Sequence, residues 1–106
     1  MNYRYMRIIV FFDLPVVSSL DKKNYVAFRK FLITSGFAMM QQSVYTKLVL
    51  NYTSAKAVTQ NIRKHAPPYG LVQMLVITEK QFNDIEYVIG ENTSELIQTD
   101  DKLVVI

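Results

Sequence analysis

The hydrophobic pattern of the chain begins with a dense apolar run over residues 3–12, which leads directly into Asp13. The run is rich in Ile, Val, Phe and Tyr, residues that favour β-strands. From Ile8 onward apolar side chains occupy both alternating faces, the pattern of a central strand covered on both sides. Pro15 cannot continue a strand ladder, so the strand is predicted to end by Asp13 or Leu14.

The period changes after Pro15, and a helix is predicted within "SSLDKKNYVAFRKFLITSGF". Its apolar positions recur at spacings of three and four, and they are Tyr25, Phe28, Phe31 and Leu32. Ser18 or Ser19 suits the N-cap, and Asp21 lies favourably in the first turn. Gly36 suits the C-terminal stop.

The next segments predict two strands, a helix and a further strand. "FAMMQQ" and "SVYTKLVL" are strand-like and close together, so a hairpin is the simplest interpretation, although no Asn-Gly or Asp-Gly turn joins them. Thr53 or Ser54 opens a second helix, which the Pro67-Pro68 pair closes, and "LVQMLVITE" is another strand. The order βαββαβ predicts an α+β, ferredoxin-like fold with both helices on one face of an antiparallel sheet.

The C-terminal region predicts pairing with a second copy of the chain. "FNDIEYVIG" and the terminal "KLVVI" each resemble an extra strand, and an exposed apolar strand edge favours association. A sheet with helices on one face also leaves its other face bare. We therefore expect a single domain spanning 1–106 that forms a sheet-to-sheet homodimer.

Composition narrows the class of protein. There are no cysteines, which excludes disulfides and thiolate metal sites and favours a reducing cytoplasm. No apolar run approaches the roughly 18 residues that a membrane-spanning helix requires. We expect neither a signal peptide nor a membrane anchor.

Charge is distributed unevenly along the chain. Residues 1–78 carry a balance of +8, whereas residues 79–106 carry −5, for a net charge of +3. A basic body of this kind suits phosphate backbones, although the helical lysines also fit an ordinary solvated helix face. The candidate nucleic-acid contacts are Arg4, Arg7, Lys22, Lys23, Arg29, Lys30, Arg63 and Lys64.

The inventory of reactive groups is small. The sole histidine, His65, has no acid near it in sequence and is interpreted as a surface residue rather than a base. No phosphate loop, HExxH helix or nucleophile elbow is present. Asp13 is the exception: at the end of a central strand it could cap the following turn or helix, or bind a metal. One carboxylate is a sparse site for Mg²⁺, but a two-fold dimer could present two.

Over nearly its whole length the sequence resembles a known family. "YRYMRIIVFFDLP", "YVAFRKFLITSGFAMMQQSVYTKLVL" and "VITEKQF" resemble the small core protein of CRISPR adaptation, the partner of the adaptation integrase, and most closely its type II versions. The resemblance implies a ferredoxin-like homodimer in which the C-terminal strand region, residues 84–106, crosses to the partner's sheet. Two integrase dimers would clamp this dimer. That assembly would capture short double-stranded DNA and insert it into the repeat array, with the integrase performing the transesterification.

The resemblance also implies a site. Members are described as Mg²⁺-dependent endonucleases on single-stranded RNA or double-stranded DNA, with the aspartate that ends the first strand, here Asp13, holding the metal. A family pattern maps onto Gly36, Phe37, Gln41, Ser43, Val44 and Tyr45. Ser43 would then lie near the metal, so Asp13 and Ser43 are the catalytic candidates.

Three functions follow as hypotheses. The first is a non-catalytic DNA-binding scaffold of adaptation. The second is a metal-dependent nuclease that uses Asp13 of both subunits. The third is a ferredoxin-like interaction module without a nucleic-acid role.

Overall fold

The computed structural model describes residues 5–91, which form four strands and three helices. In chain order these are β1 (Met6–Asp13), α1 (Ser19–Thr34), β2 (Ala38–Gln41), β3 (Val44–Val49), α2 (Tyr52–His65), β4 (Leu71–Thr78) and α3 (Glu79–Asn83). The first six elements follow the predicted βαββαβ order, so the α+β, ferredoxin-like prediction is confirmed. Within residues 5–91 no helix is both long and apolar enough to span a membrane.

The strands form one antiparallel sheet in the order β2-β3-β1-β4, which places β1 in the centre as predicted. The first residue of β1, Met6, lies opposite both Val49 of β3 and Thr78 of β4. At the other end of β1, Asp13 lies opposite Leu71 of β4. Each inner strand therefore has its backbone groups paired on both sides.

The core lies between the sheet and the helices α1 and α2. Alternate residues of β1, namely Ile8, Val10 and Phe12, face the helices and are buried. Phe12 packs edge-on against Phe28 of α1 at 5.4 Å between ring centroids and stacks with Tyr45 of β3 at 5.6 Å. Burying each such side chain contributes roughly 1.5–3 kcal/mol, which makes this layer the main source of stability.

The opposite side of the sheet, called the open face below, is covered by neither α1 nor α2. By strand register it comprises Arg7, Ile9, Phe11, Asp13, Val44, Thr46, Leu48, Leu71, Gln73, Leu75 and Ile77. Several of its leucines are exposed, with Leu48, Leu71 and Leu75 between 45% and 52% accessible. An apolar sheet face of this kind is typical of an association surface.

Helix α1 starts and ends as the sequence predicts. Ser18 accepts a hydrogen bond from the Asp21 backbone N–H, and the Asp21 carboxylate accepts one from the Ser18 backbone N–H, forming a capping box. At the far end Gly36 adopts φ +94°, which terminates the helix. Lys47 of β3 donates a hydrogen bond from its Nζ to the Ser35 carbonyl at 2.6 Å. It thereby places a positive charge at the C-terminal end of α1, whose last turn contains no basic residue.

The second helix begins slightly earlier than predicted. Its N-cap is Asn51, whose side chain accepts a hydrogen bond from the Ser54 backbone N–H at 2.8 Å, so Thr53 and Ser54 lie inside the first turn. Asn is as good an N-cap as Ser, which explains the displaced boundary.

The hairpin between β2 and β3 is confirmed, with a two-residue turn at Gln42 and Ser43. Ser43, the second residue of the turn, has φ +65°, a left-handed conformation. A register shift between Met39 and Gln41 marks a bulge just before the turn.

The prediction that "FNDIEYVIG" forms a strand is wrong. Helix α3 occupies Glu79–Asn83, and residues 84–91 contain no strand. The reason is a second capping box: Thr78 accepts from the Gln81 backbone N–H, and the Gln81 side chain accepts from the Thr78 backbone N–H. The predicted strand "KLVVI" lies outside the described residues.

Candidate nucleic-acid interface and metal site

The first candidate, Asp13, is the last residue of β1 and is exposed on the open face. Within residues 5–91 its carboxylate forms no hydrogen bond or ion pair, and the cap of α1 is Ser18. The alternative interpretation of Asp13 as a turn or helix cap is therefore wrong. What the fold presents is a solvent-facing carboxylate at the end of its central strand.

Ser43 lies at the same end of the sheet. Its backbone carbonyl accepts a hydrogen bond from the Phe12 N–H at 3.0 Å, which ties the β2–β3 turn to the end of β1. Asp13 is the next residue along that strand. Sequence reasoning selected both positions, and the fold brings their backbones together; the catalytic role of Ser43 stays a prediction.

A third segment, the approach to β4, packs against this end of β1. Gly70 has φ +99°, and a Cβ built on it would lie 2.8 Å from Leu14 Cδ2 and 3.0 Å from the Asp13 carbonyl oxygen. The same atom would lie 3.1 Å from Pro15 Cδ. Only glycine fits here, so the backbone on both sides of Asp13 is held by direct packing.

The donor groups at this end can be compared with what Mg²⁺ requires. Within residues 5–91 no group of three or more His, Cys, Asp or Glu side chains could hold a metal ion. Mg²⁺ keeps several waters and binds through one or two carboxylates together with phosphate oxygens. One exposed, unpaired Asp13 per chain matches that requirement, and Mg²⁺ binding itself stays a prediction.

Helix α1 carries the largest group of exposed cations. They are Lys22, Lys23, Arg29 and Lys30. Lys22 and Arg29 are seven residues apart, almost two full turns, so they lie on one line along the helix about 10 Å apart. Lys23 and Lys30 form a second, neighbouring line. Asp21 is the sole acid of the helix, and it is engaged in the capping box.

The remaining basic candidates differ in their surroundings. Arg63 and Lys64 are exposed in the last turn of α2, where positive charge complements the helix dipole. Beside them, exposed His65 stacks on Phe31 at 4.2 Å, and its Nδ1 lies 2.9 Å from the Asn61 carbonyl. Arg4 lies outside the described residues.

Arg7 has a structural role that the sequence did not reveal. Its guanidinium forms a two-point ion pair with Glu79, with Nε 2.8 Å from Oε1, and lies 4.2 Å above the ring of Phe82. It also reaches Thr46 Oγ1 at 3.5 Å. Arg7 thereby fastens α3 to β1, and its donors face protein groups rather than solvent.

Two further contacts were missed because they join residues distant in sequence. Lys47 reaches the end of α1, as described above. Arg29 donates its Nε to the hydroxyl of Tyr45 at 3.0 Å. No local pattern signals either bond, since each depends on how α1 lies across the sheet.

The fold and site define a ferredoxin-like α+β protein with a strand-end carboxylate and a cation-bearing helix. Comparison with known proteins identifies the family of the chain. The model of the family described as CRISPR associated protein Cas2 matches residues 6–85. The chain belongs to this Cas2 family, and it is accordingly a CRISPR adaptation protein.

Several relatives resemble the chain over much or all of their length. A protein of Treponema denticola is 52% identical over 101 residues, which cover 95% of this chain and 100% of the relative. One of Ligilactobacillus salivarius is 39% identical with the same coverage. One of Campylobacter jejuni is 41% identical over 82% of this chain and 61% of the relative. Each is named CRISPR-associated endoribonuclease Cas2. The family resemblance is confirmed, while the likeness to type II versions stays a prediction.

Proposed function

We propose that this chain is the dimeric DNA-binding scaffold of CRISPR adaptation, which captures and inserts short double-stranded DNA together with the adaptation integrase. The observation that carries the proposal is the set of exposed cations on α1, unaccompanied by free acids, in a member of the Cas2 family. Cations of this kind bind phosphates without reading sequence, as a scaffold for varied DNA must. The strand-transfer chemistry belongs to the integrase, two dimers of which would flank one dimer of this protein.

The scaffold role includes dimerisation, which we propose occurs through the open face. Its exposed leucines lie on the side of the sheet that α1 and α2 leave uncovered, where α3 packs only at the Arg7 end within residues 5–91. Two copies packed face to face would bury this surface. The dimer would also double the number of α1 helices available to one duplex.

The decisive experiment measures capture and integration of short duplexes by the integrase with and without this protein. We expect integration to rise well above that of integrase alone. Replacing Lys22 and Lys23 with alanine should reduce duplex capture, whereas replacing Lys56 and Lys80 removes the same charge elsewhere and should not. Integration no better than with integrase alone would refute the scaffold function.

A second function is favoured by Asp13 and by the endoribonuclease name that the relatives carry. In this function the chain is a metal-dependent endonuclease that hydrolyses phosphodiester bonds in single-stranded RNA or double-stranded DNA. Asp13 of both subunits would hold Mg²⁺, which supplies an activated water and charge stabilisation when bound. Ser43 would orient the phosphate at the same sheet end.

Asp13→Ala tests the nuclease. Cleavage should vanish while folding and dimerisation survive, because the side chain is exposed and makes no contact that the fold needs. Asp84→Ala removes another exposed acid, one paired only with Lys80 at 3.5 Å, and should leave cleavage intact. Cleavage that persists in Asp13→Ala points to a contaminant. Integration that survives in the same variant shows that the metal site is dispensable for adaptation.

A salt titration separates both functions from a simple interaction module. Phosphate contacts release counterions, so the DNA affinity should fall steeply between two salt concentrations. No binding, or binding indifferent to salt, would favour the interaction module.

A further inference from the structure

Arg29 differs from the three lysines of α1 because a buried side chain holds it. Its Nε donates to the Tyr45 hydroxyl at 3.0 Å, while the residue itself is exposed. Tyr45 is only 1% exposed, and its ring stacks on Phe12. The hydroxyl is therefore fixed by the core, and it fixes in turn one edge of a surface guanidinium.

This hydrogen bond restricts the orientation of the guanidinium but leaves most of its donors available. An arginine has five N–H donors in a planar fork, and Tyr45 takes one of them. The four N–H groups on the two terminal nitrogens can still bind the oxygens of a phosphate, in the paired geometry that suits arginine. A lysine on the same helix must instead lose the freedom of a flexible side chain each time it binds.

We propose that Tyr45 is a positioning residue that preorganises Arg29 as a phosphate-binding fork on α1. The inference rests on the proposed DNA-binding function. It identifies Arg29 as the DNA contact whose geometry is fixed before binding. Lys22, on the same line of the helix, contributes charge, whereas Arg29 sets where one backbone phosphate lies. Preorganisation raises affinity by lowering the entropy cost of binding.

The presence of a hydroxyl at position 45 supports this interpretation of the hydrogen bond. The ring of Tyr45 stacks on Phe12, which in turn packs on Phe28, and neither of these contacts uses a polar group, so phenylalanine would fill the same core space. A buried tyrosine needs a partner for its hydroxyl, and here that partner is a solvent-exposed cation. The bond therefore transmits the rigidity of the core to the surface.

The test measures duplex-DNA affinity for Tyr45→Phe at several salt concentrations. We expect the affinity to fall about three- to tenfold, the typical effect of removing one hydrogen bond. The slope of log affinity against log salt should not change, because the charge of Arg29 remains. In Arg29→Ala the slope should become shallower by about 0.9 for each phosphate that the variant no longer neutralises.

A double-mutant cycle distinguishes positioning from a general loss of stability. Tyr45→Phe should have no further effect on affinity in the Arg29→Ala background. Arg29→Lys keeps the charge but lacks both the Nε donor and the planar fork, so it should lose at least as much affinity as Tyr45→Phe, and it remains informative if the core variant folds poorly. Tyr25→Phe is the matched control, since Tyr25 also packs on Phe12 but is not bonded to Arg29.

The possible results distinguish failure of the positioning role from failure of the proposed DNA-binding function. Wild-type affinity in both Tyr45→Phe and Arg29→Lys would overturn the positioning role while leaving DNA binding intact. An equal loss of affinity from Tyr45→Phe with and without Arg29 would also overturn it, because the hydroxyl would then act elsewhere. Absence of salt-dependent DNA binding by the wild-type protein would overturn the proposed function and the inference together.

Discussion

Gly70 determines how the chain passes the end of β1. Its φ of +99° and the space beside it each exclude other residues, since a Cβ would press on the backbone of Asp13 and the side chains of Leu14 and Pro15. The backbone of Asp13, whose carboxylate is the candidate metal ligand, thus packs against a segment that is distant in sequence. Rigid support of this kind is what a site needs to hold its groups in place.

Gly70→Ala should lower the free energy of unfolding by about 2–4 kcal/mol, because it adds both left-handed strain and overpacking. Urea denaturation measures the change. Gly90→Ala is the matched control, since Gly90 has a similar φ of +96° but nothing within 4 Å of its would-be Cβ. It should cost only about 1 kcal/mol. Equal effects in the two variants would show that the packing of Gly70 against Asp13, Leu14 and Pro15 carries no energy.

Individual residues were predictable where the signal is local. The position of Asp13 follows from an apolar run that Pro15 ends, and the N-cap of α1 was narrowed to Ser18 or Ser19, of which the structure selects Ser18. The ion pair of Arg7 with Glu79 was not predictable, because 72 residues separate its partners and the register of the sheet brings them together.

At the scale of elements, two capping boxes determine where helices begin. The sequence offered Ser18 or Ser19 as the first N-cap without indicating the reciprocal bond from Asp21, and the Thr78-x-x-Gln81 box was overlooked in favour of the apolar residues that follow it. Helix α3 is five residues long, too short for hydrophobic periodicity to indicate it. Its cap and the Arg7–Glu79 ion pair stabilise it instead.

Ser18→Ala should reduce stability by about 1 kcal/mol, because the Asp21 N–H loses its acceptor at the start of α1. Thermal unfolding followed by circular dichroism checks this. Ser19→Ala, one residue later and inside the helix, should be neutral or slightly stabilising, since alanine has the higher helix propensity. If both variants behaved alike, the capping box would not contribute.

For the whole molecule, the open face is the feature with the widest consequences. Along β1, residues of the open face alternate with residues that face the helices. From this pattern the sequence predicted a central strand covered on both sides. The structure shows what covers one side, namely α1 and α2. A second copy of the chain remains our prediction for the other.

If two copies associate through the open face as we predict, Leu75→Glu should give a monomer, because the charge would be buried in the interface. Light scattering coupled to size exclusion measures the mass. Ile33→Glu is the control, because Ile33 on α1 is 47% exposed and Leu75 is 48% exposed. A wild-type monomer, or a dimer that tolerates Leu75→Glu, would contradict sheet-to-sheet association.

The topology was predictable because each main element has its own periodicity, whereas the candidate interface was predictable only in composition. Counting cations selected Arg7 and Arg29 alike. The fold assigns them different tasks, since Arg7 holds α3 and Arg29 faces solvent beside Tyr45. That distinction arises from packing between elements, which no single segment encodes.

The turn at Ser43 has a consequence for how this protein could be engineered. A left-handed conformation is cheapest for glycine, so the serine carries a conformational cost of about 1 kcal/mol at φ +65°. Ser43→Gly should therefore match or exceed the wild-type stability while removing the hydroxyl. A more stable protein that cleaves nucleic acid less well would reveal a trade-off between robustness and activity, and would assign that activity to a single oxygen atom.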